Sequence, residues 1–340
     1  MKIAVDAMGG DHAPAAPVEG AVLAAREYGV TVVLVGRPEA IEPELARHDT
    51  SGLSVEIEPA SQVIGMEEQP ALAVRSKPDS SMVVGMKLLK AGHVDGFFSA
   101  GNTGGMLAAA IFHLGRIKGI KRPALSTIFP TAHGHCLLLD VGANAEVKPE
   151  FLVQFALMGH VYASRVLGVH APRVGLVSNG EEETKGTPLV QEAHRMLKQA
   201  DEINFIGNVE GKDIPAGLAD VVVTDGFTGN VIIKLAEGLG SLMKQLIREE
   251  LTRDPLSMVG ALLSKRAFDR LSRRTDYSVY GGAPLLGVNG VVIIGHGRSN
   301  PVAVKNGVRV AKTAVEQEVV ATIRDGWRAM AEAVTAPALG

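Results

Sequence analysis

The sequence predicts an α/β fold, a mostly parallel sheet with helices on both faces. Three observations carry this. Short apolar, β-branched runs alternate with longer helical patterns through nearly all of the 340 residues. Several runs, such as Val32-Val-Leu-Val35, Leu137-Leu-Leu139 and Val221-Val-Val223, are apolar without alternation, as strands covered on both faces must be. Most of them end in a glycine-rich polar loop, which is where sheets of this class place their ligands.

Taken in order, Ile3-Ala-Val5 lies in a strand over 2–7 that runs into Asp6-Ala-Met-Gly-Gly-Asp11. A helical pattern over 14–28 precedes strands at 30–35 and 54–58. A helix at 81–91 leads to a strand at 94–99, whose end, Ser99-Ala-Gly-Asn-Thr-Gly-Gly105, opens a helix at 104–116. Cys136 begins the strand 136–141, which ends in Asp140-Val-Gly-Ala-Asn144 ahead of a helix at 148–167. The strand 173–178 runs into Glu181-Glu-Glu-Thr-Lys-Gly186, after which Thr187 and Pro188 suit the N-cap and first residue of a helix at 187–199. Strands at 203–209 and 220–224 follow, and Asp225-Gly-Phe-Thr-Gly-Asn230 opens a helix at 229–251. After Gly281-Gly-Ala-Pro-Leu-Leu-Gly287, a strand at 290–295 and a helix at 304–333 complete the pattern. Residues 1–334 read as one large α/β catalytic unit, with 252–277 a helical protrusion lacking any strand and 335–340 a frayed tail.

Bulk properties exclude several classes. A hydrophobic content of 46%, a charged content of 21% and a net charge of −3 describe an ordinary globular chain with no electrostatic reason to bind nucleic acid. Aromatic residues make up only 4%, which also disfavours base-stacking surfaces. The single Cys136 excludes an intrachain disulfide and cysteine-rich metal sites and fits a reducing cytoplasm. The start of the sequence shows no signal-peptide pattern, and no run approaches the ~20 apolar residues of a membrane span, so any membrane contact is expected to be peripheral. The sequence holds no Walker A motif, no HExxH, no GxSxG elbow and no GxGxxG after a strand. No metal and no cofactor is expected.

The six loops offer backbone N–H groups and helix N-termini suited to anions, and together they predict one composite polar site. Glu181, Glu182, Glu183 and Lys185 read either as a solvated loop with local ion pairs or as a site in which Lys185 holds an oxyanion or phosphate as a point charge. Asp225-Gly226 reads as a turn with Asn230 a cap, or as a loop aiming the Asn230 amide at developing charge. Small residues around Ser99, Asn102 and Thr103 suit a tight turn or a close backbone approach to ligand. Arg75 and Lys77, just ahead of Ser80-Ser81, form an anion cluster or an ordinary helix start.

The loops Met8-Gly-Gly-Asp11-His-Ala-Pro14, Ser99-Ala-Gly-Asn-Thr-Gly104, Leu139-Asp-Val-Gly-Ala-Asn144, Gly180-Glu-Glu-Glu-Thr-Lys-Gly186, Thr224-Asp-Gly-Phe-Thr-Gly-Asn230 and Tyr280-Gly-Gly-Ala-Pro-Leu-Leu-Gly287 together resemble the acyl-ACP:phosphate acyltransferases, the PlsX family. The match runs in order from Met1 to about Ala331, departing at Val177-Ser178-Asn179 where a Leu-Asn-Ile-like strand end would stand. The resemblance implies a fold similar to phosphotransacetylase and the isocitrate dehydrogenase-like enzymes. It also implies a homodimer that is cytoplasmic and peripherally associated with the inner face of the cell membrane. The reaction it implies is transfer of a long-chain acyl group from acyl-ACP to inorganic phosphate. The acyl phosphate would then pass to a membrane glycerol-3-phosphate acyltransferase in phospholipid synthesis.

Such chemistry asks for phosphate-cradling loops, a cation, an oxyanion donor and help for a leaving thiolate, with no acyl-enzyme cysteine. Lys185 and Asn230 fit the catalytic roles, with Asp11, Arg75, Lys77, Ser99, Asn102, Thr103, Asn144, Glu181, Glu182, Asp225 and Thr228 expected to bind substrate. Asp6, Asp11, Asp140 and Asp225 are also read as organising the loops. Within the protrusion, Leu256, Met258, Val259, Leu262 and Leu263 form an apolar tip beside Lys265, Arg266, Arg270, Arg273 and Arg274. That segment fits membrane, the acidic carrier protein or a partner subunit. An acyl-CoA-dependent phosphate acyltransferase and a non-enzymatic membrane scaffold are the alternative functions, with a decarboxylating dehydrogenase a weaker third.

Overall fold

The computed structural model of the chain describes residues 1–275 and 277–335. The side chains at 269, 271–277 and 333–340 lie outside that description, so the part of the basic run at Arg273 and Arg274 and the expected frayed tail are not placed. In chain order the elements are β1 (Lys2–Asp6), α1 (Ala15–Tyr28), β2 (Thr31–Gly36), α2 (Pro38–Leu45), β3 (Val55–Pro59), α3 (Pro70–Ser76), α4 (Ser81–Ala91), β4 (Gly96–Ser99) and α5 (Thr103–Ala109). A π-helical turn, Ala110–Leu114, extends α5. Then follow β5 (Ala124–Thr131), β6 (Gly134–Leu139), α6 (Pro149–Arg165), β7 (Val174–Val177), α7 (Pro188–Leu197), β8 (Phe205–Val209), α8 (Asp213–Ala216) and β9 (Val221–Val223). The chain closes with α9 (Gly226–Leu251), α10 (Pro255–Thr275), α11 (Tyr277–Tyr280), β10 (Ala283–Leu286), β11 (Val291–Ile294), α12 (Pro301–Glu316) and α13 (Val319–Thr335).

All eleven strands form one sheet in the order β3-β2-β1-β4-β11-β10-β5-β6-β9-β7-β8. The uninterrupted apolar runs are explained by burial on both faces. In β1, Ile3 and Val5 enter the cluster under α1, α6 and α12, while Ala4 enters the opposite cluster under α4 and α5. In β6, Leu137 and Leu139 face the first cluster, and Cys136 and Leu138 face a smaller one covered by Ile232 and Ile233 of α9. Successive residues alternate faces. Both must therefore be apolar.

Two strands escape the sequence pattern. β5 carries Ser126, Thr127 and Pro130 among its apolar residues, and β10 is a four-residue strand between the glycines 281–282 and 287. Both pair antiparallel with their neighbours. The expected helix 304–333 is two helices, because Glu318 adopts a positive φ of 50° between α12 and α13.

The antiparallel pair changes where the loops lie. Strands β1, β2, β3, β4 and β11 run parallel to one another, as do β6, β7, β8 and β9. Three successive antiparallel pairings, β11 with β10, β10 with β5 and β5 with β6, set these groups in opposite directions. Their carboxyl ends therefore lie on opposite edges of the sheet. The six loops do not form a single strand-end cluster. The 6–11 and 99–105 loops share one edge, and the 140–144, 181–186 and 225–230 loops share the other. Most of 281–287 is itself strand β10.

Candidate active site

At the second edge the three loops follow adjacent strands, with Leu139 beside Val223 and Val223 beside Leu176. Asp140, fully buried, organises the first loop. Its Oδ1 accepts from the backbone N–H of Leu125 (3.0 Å), Ala143 (3.0 Å) and Gly142 (3.3 Å). Its Oδ2 accepts from the Asn144 N–H (2.7 Å) and side-chain amide (2.9 Å). Burial pushes the Asp140 carboxyl above the ordinary carboxylate range, and these donors pull it back.

The N-terminus of α9 sits directly on that loop. Asp225 is its N-cap, accepting from the Thr228 N–H (2.8 Å) and hydroxyl (2.7 Å), and the Gly226 N–H donates to the Asn144 carbonyl at 2.7 Å. A Cβ at Gly226 would stand 2.7 Å from Asp140 Oδ2, and one at Gly229 would stand 1.9 Å from the Asp140 carbonyl oxygen. The glycines of Asp-Gly-Phe-Thr-Gly-Asn thus allow helix and loop to touch. Asp225 and Thr228, expected to bind substrate, satisfy each other. Asn144, likewise expected there, donates its amide to Asp140 and to the Pro123 carbonyl (2.7 Å). Asn230 is a residue of the helix rather than its cap. It is exposed and makes no side-chain hydrogen bond among the described residues.

On the loop after β7, Glu181 and Glu183 are engaged, while the exposed Glu182 carboxylate joins no hydrogen bond or ion pair among the described residues. Glu183 pairs with Lys198, and Lys212 pairs with Glu210 and lies 3.8 Å from Glu181. Glu181, Glu210 and Asp213 bring carboxylate oxygens within 4.8 Å of one another, but Lys212 already supplies a cation among them. From below, buried Asn208 donates to the Glu182 carbonyl (2.9 Å) and faces Nδ1 of buried His194 at 2.9 Å. Because the Asn208 amide nitrogen is used on Glu182, its oxygen must accept, so His194 Nδ1 carries the proton. Gln191 ties the loop from above by donating to the carbonyls of Thr184 (2.7 Å) and Gly186 (3.2 Å). Lys185 is likewise unengaged. It is exposed, joins no ion pair among the described residues, and its stem crosses Gly180, where a Cβ would lie 2.7 Å from its Cγ.

At the first edge the expected residues are largely internal. Ser99 is fully buried, donating to Asp6 (2.7 Å) and accepting from the Gly101 N–H (3.0 Å). Asn102 caps α5 through the Gly105 N–H (2.9 Å), and its amide donates to the carbonyls of Gly65, Met66 and Glu68. Lys77 is consumed by Glu68 (2.5 Å) and the Val63 carbonyl (2.7 Å), and the exposed Arg75 stacks 4.9 Å over the Phe112 ring. Thr103 and Asp11 stay exposed, with the Asp11 N–H donating to the Gly297 carbonyl at 2.8 Å.

That contact introduces a loop the sequence reading passed over, Gly295-His-Gly-Arg-Ser-Asn-Pro301, which follows β11 and opens α12. It has the same strand-to-glycine-to-helix design as the others, and that design was the available signal. Burial, and then Arg298, hold the His296 imidazole below its ordinary pKa, while Glu237 and Lys234 of α9 and Asp11 also bear on it. The first three turns of α9 therefore connect the two loop clusters over about 17 Å.

The fold defines a class before any family is considered. The structure resembles the EutD phosphotransacetylase of Staphylococcus aureus with a TM-score of 0.61 at 17% identity, covering 93% of this chain and 94% of that one. It resembles a phosphotransacetylase of Streptococcus pyogenes with a TM-score of 0.58 at 16% identity, covering 96% and 94%. At these identities the likeness establishes the phosphotransacetylase fold.

Sequence comparison goes further. The family model described as fatty acid synthesis protein matches residues 1–322. A phosphate acyltransferase of Heliobacterium modesticaldum is 52% identical over 326 residues, 96% of this chain and 97% of that protein. One of Geobacter sulfurreducens is 50% identical over 319 residues, 94% and 92% of the two chains. The chain belongs to this family of fatty acid synthesis proteins, the phosphate acyltransferases that its loops resemble.

Proposed function

We propose that the protein transfers a long-chain acyl group from acyl carrier protein to inorganic phosphate. A phosphate oxygen attacks the thioester carbonyl, the C–S bond breaks, and acyl phosphate and the carrier thiol leave. The observation that carries this reading is that Lys185 and Asn230 both lie just beyond the carboxyl ends of the adjacent strands β7 and β9. Both are exposed and free of side-chain partners among the described residues, on segments that follow the neighbouring strands β7 and β9, where Asn144, Glu181, Asp225 and Thr228 are structurally engaged. Lys185 supplies the point charge for phosphate or for the developing oxyanion, and Asn230, in the second turn of α9, supplies an N–H donor where the helix dipole favours negative charge.

Direct attack also fits the thiol inventory. Cys136 is fully buried in β6, and burial pushes its pKa up to about 12, so it is no nucleophile at neutral pH. The test is release of carrier thiol from acyl-ACP with and without phosphate, run beside acyl-CoA of the same chain length.

The reading extends to assembly. Val231, Leu235, Leu239, Leu242 and Leu246 form an exposed apolar stripe at helical spacing along α9, suited to a second copy of the chain. Leu256 and Leu263 of α10 are 82% and 81% exposed beside Lys265, Arg266 and Arg270, suited to a peripheral contact with anionic lipid. No helix among the described residues is long and apolar enough to cross a membrane. The acyl phosphate would then be released where a membrane glycerol-3-phosphate acyltransferase can take it. Residues 1–334 act in this reading as one catalytic unit, with 252–277 the lipid-facing protrusion.

A further inference from the structure

A second cationic feature stands at the same edge as Lys185. Arg116-Ile-Lys-Gly-Ile-Lys-Arg122 carries four cations in seven residues, in a chain whose net charge is −3. All four are exposed. None joins any ion pair among the described residues, although lysines and arginines elsewhere on the surface commonly do.

The segment is held from beneath rather than left loose. Ile117 and Ile120 are buried in the core. The Ile117 N–H donates to the Gly287 carbonyl (3.0 Å), and the Asn289 amide donates to the Arg116 carbonyl (2.8 Å). Gln154, itself buried, accepts from the Lys121 N–H (2.8 Å) and donates to the Gly119 carbonyl (3.1 Å). The Arg116 guanidinium closes the turn on the Lys121 carbonyl. The result is a preorganised platform of positive charge.

Its position gives it a use. Pro123, next in the chain, accepts through its carbonyl from the Asn144 amide, so the platform adjoins the 140–144 loop. From β5 the sheet continues through β6 and β9 to β7. Three strand spacings place the platform about 14 Å along the edge from the loop that carries Lys185.

We propose that this loop docks the protein body of the acyl donor, an acidic protein whose thioester-linked acyl group extends along the edge to Lys185 and Asn230. The proposal rests on the transfer reaction given above. Four unpaired cations on a rigid turn raise the encounter rate with an acidic surface and orient it, and do so more strongly at low salt. An anionic membrane is the less suitable partner. The turn keeps both isoleucines inside and has no apolar residue to insert, whereas α10 exposes several.

The test uses the full chain with Lys118→Glu and Lys121→Glu combined, and Lys118→Gln/Lys121→Gln as a milder pair should the glutamates impair folding. Phosphate-dependent thiol release is measured with acyl-ACP and with acyl-CoA, and binding of unacylated carrier protein is followed by fluorescence anisotropy. The expected result is a rise of about tenfold or more in both KM for acyl-ACP and Kd for the carrier, with kcat within about twofold and the acyl-CoA parameters unchanged. The salt dependence of carrier binding should flatten in the same variant. Unchanged carrier binding overturns the proposal, as does an equal loss with acyl-CoA. Lost affinity for phosphatidylglycerol vesicles with normal carrier binding assigns the loop to membrane and also overturns it. The two readings fail differently. A wild-type protein that binds carrier through these lysines but releases no thiol sinks the reaction, and one that releases thiol normally in the charge-reversed variant sinks the docking site.

Discussion

Replacing Gly229 by alanine should destabilise the protein and disable it, although the same change ordinarily strengthens a helix. Glycine inside a helix costs about 0.5–1 kcal/mol relative to alanine, so Gly238→Ala, where the added methyl meets nothing within 4 Å, should gain about that much. At Gly229 the methyl would stand 1.9 Å from the Asp140 carbonyl oxygen, roughly 1 Å inside the closest contact a real Cβ makes. Both groups are anchored to backbone, so neither can swing aside. Relief requires the N-terminus of α9 to lift from the 140–144 loop, which sacrifices the 2.7 Å bond from Gly226 to Asn144 and local packing. Overpacking of this kind costs about 1–3 kcal/mol, and with the lost hydrogen bond about 3 kcal/mol is expected. For a chain of this length the unfolding entropy is about 0.7 kcal/mol per kelvin, so Tm should fall about 4 °C for Gly229→Ala and rise about 1 °C for Gly238→Ala. Asn230 adjoins Gly229, and a shift of about 1 Å should lower kcat by about 10²-fold. Thermal unfolding and thiol-release kinetics on both variants decide this. A stabilised or fully active Gly229→Ala protein would refute the contact between α9 and Asp140 on which the site is built.

Lys185→Ala and Asn230→Ala should each lower kcat by about 10²-fold or more with Tm nearly unchanged, since both side chains are exposed; normal turnover in either removes that residue from the chemistry. Cys136→Ala should keep most activity, and mass spectrometry during turnover should show no acylated protein, whereas an adduct on any side chain would replace direct attack with a covalent route. Leu256→Glu should abolish binding to anionic vesicles while sparing soluble turnover and dimerisation, and a variant that falls to monomers instead would assign α10 to the subunit contact. Asp220 accepts two 2.9 Å bonds from the Arg173 guanidinium, which hold its carboxyl below the usual range. Its folded pKa is thus below the unfolded value, so its contribution is complete above about pH 4 and fades as pH falls through the folded pKa. Denaturant titrations should show Asp220→Asn less stable than the parent at pH 7 and the gap closing toward pH 3, and a gap independent of pH would contradict the pairing.

The alternating architecture was legible because strands covered on both faces leave a plain signature. Val32 to Val35 and Leu137 to Leu139 send successive apolar side chains to opposite clusters, and no surface strand would read that way. The direction of those strands was not legible. It turns on β5 and β10, one interrupted by Pro130 and the other four residues long and flanked by glycines, and without them the two halves appear to run the same way. The loops were therefore found individually but assigned to a single strand-end cluster. Residue types alone also could not separate positioning groups from reacting ones. Asn102, Lys77 and Thr228 have the chemistry of ligand contacts, yet each is satisfied by the protein itself, and only coordinates show where a hydrogen bond goes. Lys185 and Asn230, like Asp11, Thr103 and Glu182, keep exposed side chains with no such hydrogen bond among the described residues.

Phosphate-dependent release of carrier thiol from long-chain acyl-ACP tests the central claim most directly. Release should rise with phosphate and saturate, with one acyl phosphate formed per thiol freed, and both should be lost in Lys185→Ala. Thiol release at the same rate without phosphate, or none under either condition, would contradict it.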